Sequence, residues 1–122
     1  MVTGSVSRLV GTIRFPIEDV NGNRQDVEAD VDTGFTGFLT LPSARIQLLG
    51  LPYHSYRVAT LGDGTSVLMH LFDAVVIWDG QPISVQVTES ESNPLVGMRM
   101  LAGHRLRMDI IDGGMVEIEK LP

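Results

Sequence analysis

The sequence predicts an all-β domain, or a mainly β one with one or two short helices. Three observations lead there. Apolar and polar residues alternate in several short runs, turn-forming pairs recur between those runs, and only two stretches carry a helix-like pattern. Strands this short and numerous exclude a regular α/β alternation.

Taken in order, Arg8 to Phe15 alternates loosely as "RLVGTIRF", Asn21-Gly22 supplies a turn, and "QDVEADV" alternates strictly, which together predict a hairpin. In its second strand Val27, Ala29 and Val31 share one face, while Asp26, Glu28 and Asp30 share the other, a solvated face whose acidic parity Asp32 continues. "LPSARIQLLGL" places Pro42 near a helix start, Ile46 and Leu49 three apart, and Gly50 at the stop. "YHSYRVATL" and "TSVLMHLFDAVVIW" are rich in β-branched and aromatic residues and flank "GDG" at Gly62 to Gly64, which predicts a long hairpin. Asp79-Gly80 turns the chain into "PISVQVTE", and "SESN" before Pro94 reads as a polar loop. A short helix is expected in "MRMLAG". A last hairpin is expected from "HRLRMDII" and "MVEIE", with Gly113 and Gly114 in the turn. Trp78 and the methionines Met98, Met100 and Met108 fall within apolar stretches and are read as core.

Composition narrows the function. At 122 residues and 43% hydrophobic, residues 1–122 fit one domain able to bury a core without disulfides or metals. A net charge of -6 disfavours phosphate backbones and anionic lipid, so neither nucleic acid nor membrane is an expected partner. There are no cysteines, which removes thiolate metal sites and cysteine nucleophiles. "MVTGSVSRLVG" lacks the basic flank and apolar run of a secretory leader, so a cytoplasmic location is expected. His54, His70 and His104 lack HxH or HExxH spacing, and "GDG" lacks the alternating oxygen ligands of a calcium loop, so no metal or other cofactor is assigned. No Gly-x-Ser-x-Gly elbow supports Ser-His-Asp catalysis.

The residues that carry chemistry lie in "DVDTGFTGFLTLP". Metal-free hydrolysis by an activated water needs two carboxyl groups sharing one proton, one to accept the water's proton and one to polarise the carbonyl. Asp32 supplies a carboxylate, Thr33 a hydroxyl able to lock the loop, and Gly34 a backbone that can approach the carboxylate and donate its N–H. Such a triplet is weak by itself, because Asp and Gly are ordinary turn residues. Here it follows an alternating strand, precedes an apolar run, and is followed some sixty residues later by "PLVGMRML", which repeats the pattern of apolar pair, glycine and short helix.

These residues resemble the retropepsin-like aspartic proteases, with "DTGFTGFLTLP" most similar to the bacterial branch. The resemblance covers most of the chain in order. It implies a closed-barrel acid-protease fold and a homodimer with its active site on the two-fold axis. By that resemblance Asp32 is the catalytic aspartate, Thr33 the residue whose hydroxyl bonds across to the other subunit's loop, and Gly34 its neighbouring glycine. Residues 61–67, from Leu61 to Val67, would form a flap over a bound peptide, with Gly62, Asp63 and Gly64 at the tip. Leu95, Val96 and Gly97 would pack under the catalytic loop as its supporting element.

Each chain carries one such aspartate: Asp63, Asp79 and Asp112 are followed directly by glycine, so the second carboxyl must come from another copy. Thr36 and Met98 replace an acid and an arginine that pair in retroviral members, and both partners are absent together. Phe35 stands where a small residue is common and would narrow a substrate subsite; Asp63 would disfavour acidic peptides at the flap tip. In retroviral members the two ends of both chains interleave in one sheet; "VEIE" is available for such pairing, but the sequence does not fix how the termini pair here. The expected activity is therefore aspartic endopeptidase action on peptides or unfolded protein. The alternative is a noncatalytic dimeric peptide-binding module on the same fold.

Overall fold

A computed structural model describes residues 1–122. Ten strands and two helices follow in the order β1 (Val2–Ser7), β2 (Val10–Glu18), β3 (Arg24–Val31), β4 (Leu39–Leu41), α1 (Ser43–Leu49), β5 (Tyr53–Thr60), β6 (Ser66–Trp78), β7 (Gln81–Glu89), β8 (Leu95–Val96), α2 (Met98–Leu101), β9 (His104–Met108) and β10 (Met115–Lys120). All ten strands join in one sheet, ordered β5-β6-β7-β4-β8-β3-β2-β1-β10-β9. An extra bridge between β2 and β6, at Ile17 and Val76, closes β2, β3, β8, β4, β7 and β6 into a ring. The core fills that ring, with Ile13, Ile17, Val27, Leu39, Val76 and Val87 among its fully buried side chains. Phe15 and Trp78 meet edge to face at 5.5 Å, an arrangement that suits the aromatic quadrupole.

The expected hairpins form. Strict alternation in β3 puts Val27 and Ala29 inward and leaves Asp26 and Glu28 exposed, since successive side chains point to opposite faces of the sheet. Pro42 precedes α1, and Gly50, in the left-handed region at φ 68°, ends it. Asp79 and Gly80, both at positive φ, form the two-residue turn that matches the twist of β6 and β7.

Three readings need correction, and the place of the C-terminal strand, open in the sequence, is added to them. The N-terminal strand β1 was not anticipated, because its turn into β2 is made by Arg8 and Leu9 at φ 52° and 67°, where neither Gly nor Asn marks it. Two consecutive bulky residues at positive φ are strained, and Leu9 is 82% exposed there. The last hairpin is shorter than expected: β9 stops at Met108, Ile110 and Ile111 lie in the connection, and only Gly113, not Gly114, takes positive φ. Met98 is 47% exposed and so is not core, whereas Met100 is buried and Met108 packs against the core. Finally, "VEIE" does not lie free. β10 pairs with β1 along one edge and with β9 along the other, so both of its hydrogen-bonding edges are used within the chain. No helix is long and apolar enough to cross a membrane.

Candidate active site

The loop from Asp32 to Phe38 leaves the end of β3 and is held from below by β8. Two backbone bonds and one to a side chain lead up to it: Asp30 N–H donates to Pro94 O at 2.9 Å, Asp32 N–H to Val96 O at 2.9 Å, and the Leu95 N–H to the Thr40 hydroxyl at 2.8 Å. Three more fasten the loop itself: Gly97 N–H to Phe38 O at 3.0 Å, Met98 N–H to Phe35 O at 2.7 Å, and Arg99 N–H to Gly37 O at 3.1 Å. These bonds hold the loop against Leu95, Val96 and Gly97. The reason it works is that β8 runs parallel to β3 and antiparallel to β4, so a two-residue strand is gripped on both edges.

Within the loop, Gly34 N–H donates to Asp32 Oδ1 at 2.9 Å and Phe35 N–H to Asp32 O at 3.2 Å. Glycine eases the close approach, because a Cβ at position 34 would stand 3.2 Å from the same carboxylate oxygen and press it a few tenths of an ångström away. Asp32 is half-buried, while Thr33, Gly34 and Thr36 are exposed.

Phe35 does not simply crowd the subsite as its size suggests. Its ring folds over two glycines: a Cβ on Gly37 would lie 2.5 Å from Phe35 Cζ, and one on Gly97 2.5 Å from Cδ2. Gly37, together with Thr40, was not singled out from the sequence. Thr40 is buried, and its hydroxyl serves as a backbone acceptor, a use that no short motif announces.

Beside the loop lies a groove walled by the long hairpin of β5 and β6. One cavity of about 210 Å³ runs from Gly34 and Phe35 to Arg57, Ala59 and Met69. A second, of about 300 Å³, continues from Gly37 and Arg57 to Phe38, His54 and Arg99. Ser55, Arg57 and Ala59 share one face of β5 by the two-residue period, which is why this face lines the groove. The hairpin tip, Leu61 to Gly64, lines neither cavity.

The tip is closed by Leu61 N–H to Thr65 O at 2.7 Å and by Gly64 at φ 87°. Asp63 is engaged within it: its Oδ1 accepts from the Thr65 hydroxyl at 2.6 Å and from the Thr65 N–H at 2.9 Å. Those bonds, the hydroxyl's first, hold its carboxyl below the usual value for an aspartate. A depressed pKa in the ordered state means the turn gains from ionisation above the ordinary Asp range and loses that gain as pH falls through the lower value. The Thr65 amide shift in an NMR titration should therefore move with a midpoint below the usual aspartate pKa, and Asp63→Ala should abolish the transition. A midpoint at or above the usual value would remove Asp63 from the turn. No group of three or more His, Asp or Glu side chains converges as a metal site.

Against known proteins, no family model matches the sequence, and no curated protein does. Among solved structures, the chain resembles the retropepsin-like aspartic protease from Rickettsia conorii, with a TM-score of 0.55 over 98% of this chain and 90% of that one. Sequence identity is 15%, so the likeness establishes a retropepsin-like fold.

Proposed function

We propose that the chain is an aspartic endopeptidase that works as a homodimer, with Asp32 from each of two copies forming one dyad. The observation that carries this is the placement of Asp32: half-buried, fixed by Gly34 N–H and by Val96 O through its own N–H, in the loop whose next residues, Gly34 and Phe35, line a groove. A peptide hydrolase of the same fold supports the reading.

In the proposed mechanism one Asp32 carboxylate takes a proton from water as the water oxygen bonds to the scissile carbonyl carbon. The other Asp32, protonated, donates its hydrogen bond to the carbonyl oxygen and stabilises the charge that develops there. Collapse of the tetrahedral intermediate breaks the C–N bond and transfers a proton to the leaving amine, without a covalent enzyme intermediate. Thr33, exposed beside the carboxylate, is suited to bond the partner's loop. The β5–β6 hairpin is suited to act as the flap, and an extended substrate to lie along it.

Because β10 is occupied on both edges, the dimer in this proposal does not rest on interleaved termini of the retroviral kind. It rests on the exposed loop around Thr33 and Gly34, with Met98 alongside. Peptide cuts made by the wild type, read by mass spectrometry on an unstructured peptide pool, should rise more than linearly with protein concentration. Cuts that scale linearly down to concentrations where light scattering finds monomer would refute the shared dyad. A dimer without cuts would leave the noncatalytic peptide-binding module.

A further inference from the structure

Charge is distributed unevenly around this molecule. The chain carries 15 acidic residues against 9 basic ones, yet no Asp or Glu lines either cavity of the groove beside Asp32. Other depressions hold carboxylates: one has Glu18, Asp19 and Asp73, and another Asp26 and Glu28 beside Arg14 and Arg45. The groove instead carries two arginines. Arg57 lines both of its cavities, and Arg99 lines the second.

Several cations elsewhere are engaged within the chain. Arg14 pairs with Glu28 at 3.3 Å, Arg105 with Glu119 at 2.9 Å, the N-terminus with Asp79, and Arg45 donates to the Asp26 carbonyl at 2.6 Å. Neither Arg57 nor Arg99 forms a salt bridge. The Arg99 guanidinium is steadied over the Phe38 ring, 5.9 Å from its centroid, which leaves its N–H edge to a ligand. Asp73, on β6, is engaged by His54 Nδ1 at 2.9 Å. Gln86 and Thr88 complete the floor as neutral polar groups.

We infer that this groove selects extended peptides bearing an acidic side chain, whose carboxylate docks between Arg57 and Arg99. A guanidinium offers a planar fork of N–H donors that fits a carboxylate in two parallel bonds. The inference rests on the reading of the groove as the peptide site, and not on turnover. It also changes the expectation drawn from Asp63: that carboxylate is bound to Thr65 at the tip and lies outside both cavities, so it does not oppose an acid lower in the groove.

The test uses the full chain carrying Asp32→Asn, which holds ligand without cutting it. Two fluorescein-labelled pools of extended peptides, identical except that Gln replaces Glu in the second, are titrated by fluorescence anisotropy at low and high salt. The Glu pool should bind about tenfold more tightly at low salt, the worth of one charge-assisted pair discounted for exposure. The preference should shrink at high salt. Adding Arg57→Gln or Arg99→Gln should bring the Glu-to-Gln ratio towards one, and Arg57→Lys should keep part of it. Each ratio is taken within one variant, so a partly unfolded preparation does not mimic the effect. Equal binding of the two pools, no binding of either, or a ratio unchanged in both Gln variants would overturn the inference. A wild type that binds with this preference but never cuts would overturn the protease reading alone.

Discussion

Replacing Asp32 with Asn should lower turnover by at least about 10³-fold, within the range that positioned acid–base groups supply. It should leave the thermal melt and dimer mass unchanged. The asymmetry follows from what the side chain does in each role. As a structural group Asp32 is an acceptor for the Gly34 N–H, and an amide oxygen at the same place accepts equally well. Its own backbone, held by Val96 O, is untouched. As a reacting group it must exchange a proton, and an amide does not. In the proposed dyad one position supplies both members, so the substitution removes general base and general acid together. Initial rates on a cleaved peptide, with calorimetry and light scattering on the same samples, decide the matter. Undiminished cutting by Asp32→Asn would show that another group activates the water. Loss of the dimer would show that Asp32 is structural first.

Much of this was legible in the sequence because the signals were local. Period-two alternation defined β3, and Gly50, Gly64 and Gly80 stand at positive φ where the turn pattern required them. The triplet at Asp32 and the apolar pair before Gly97 were visible as separate strings, and a resemblance linked them. What stayed hidden was whatever depends on contacts between distant segments. The turn of Arg8 and Leu9 adopts a conformation usually given to Asn-Gly, so propensity argued against it, and only pairing of β1 with both β2 and β10 makes it hold. That pairing also decided the place of the C-terminal strand, which the sequence left open. Arg57 reads as an ordinary charge in a strand until β6 pairs with β5 and turns that face towards Gly37. Thr40 and Gly37 gain their roles only once β8 lies against the loop.

The same dependence on distant contacts makes Gly97 the sharpest test of the loop's construction. Its φ of -107° and ψ of -176° are open to any residue, so conformation does not demand glycine there. Space does. A Cβ would fall on the carbonyl oxygen of Gly37, 2.5 Å from Phe35 Cδ2 and 2.6 Å from Phe35 O. Two of these are backbone atoms, and both carbonyls are accepting hydrogen bonds, from Arg99 and Met98 respectively, so neither can swing aside as a flexible side chain would. Gly97→Ala should therefore cost about 3 kcal/mol, at the upper end of overpacking. For a chain of this size that is a fall in Tm of roughly 10 °C. Below that temperature the loop must still shift to admit the methyl, and a displacement approaching 1 Å at the carboxylate should lower kcat by about 10²-fold. Gly62→Ala is the control for stability, because a Cβ there meets no atom within 4 Å, and its Tm should stay within about 2 °C of the wild type. If Gly97→Ala melts with the wild type, β8 does not clamp the loop. If it melts early yet keeps full kcat at low temperature, the clamp stabilises the barrel without positioning Asp32, and the geometry of the carboxylate must be set by Gly34 and the partner's loop.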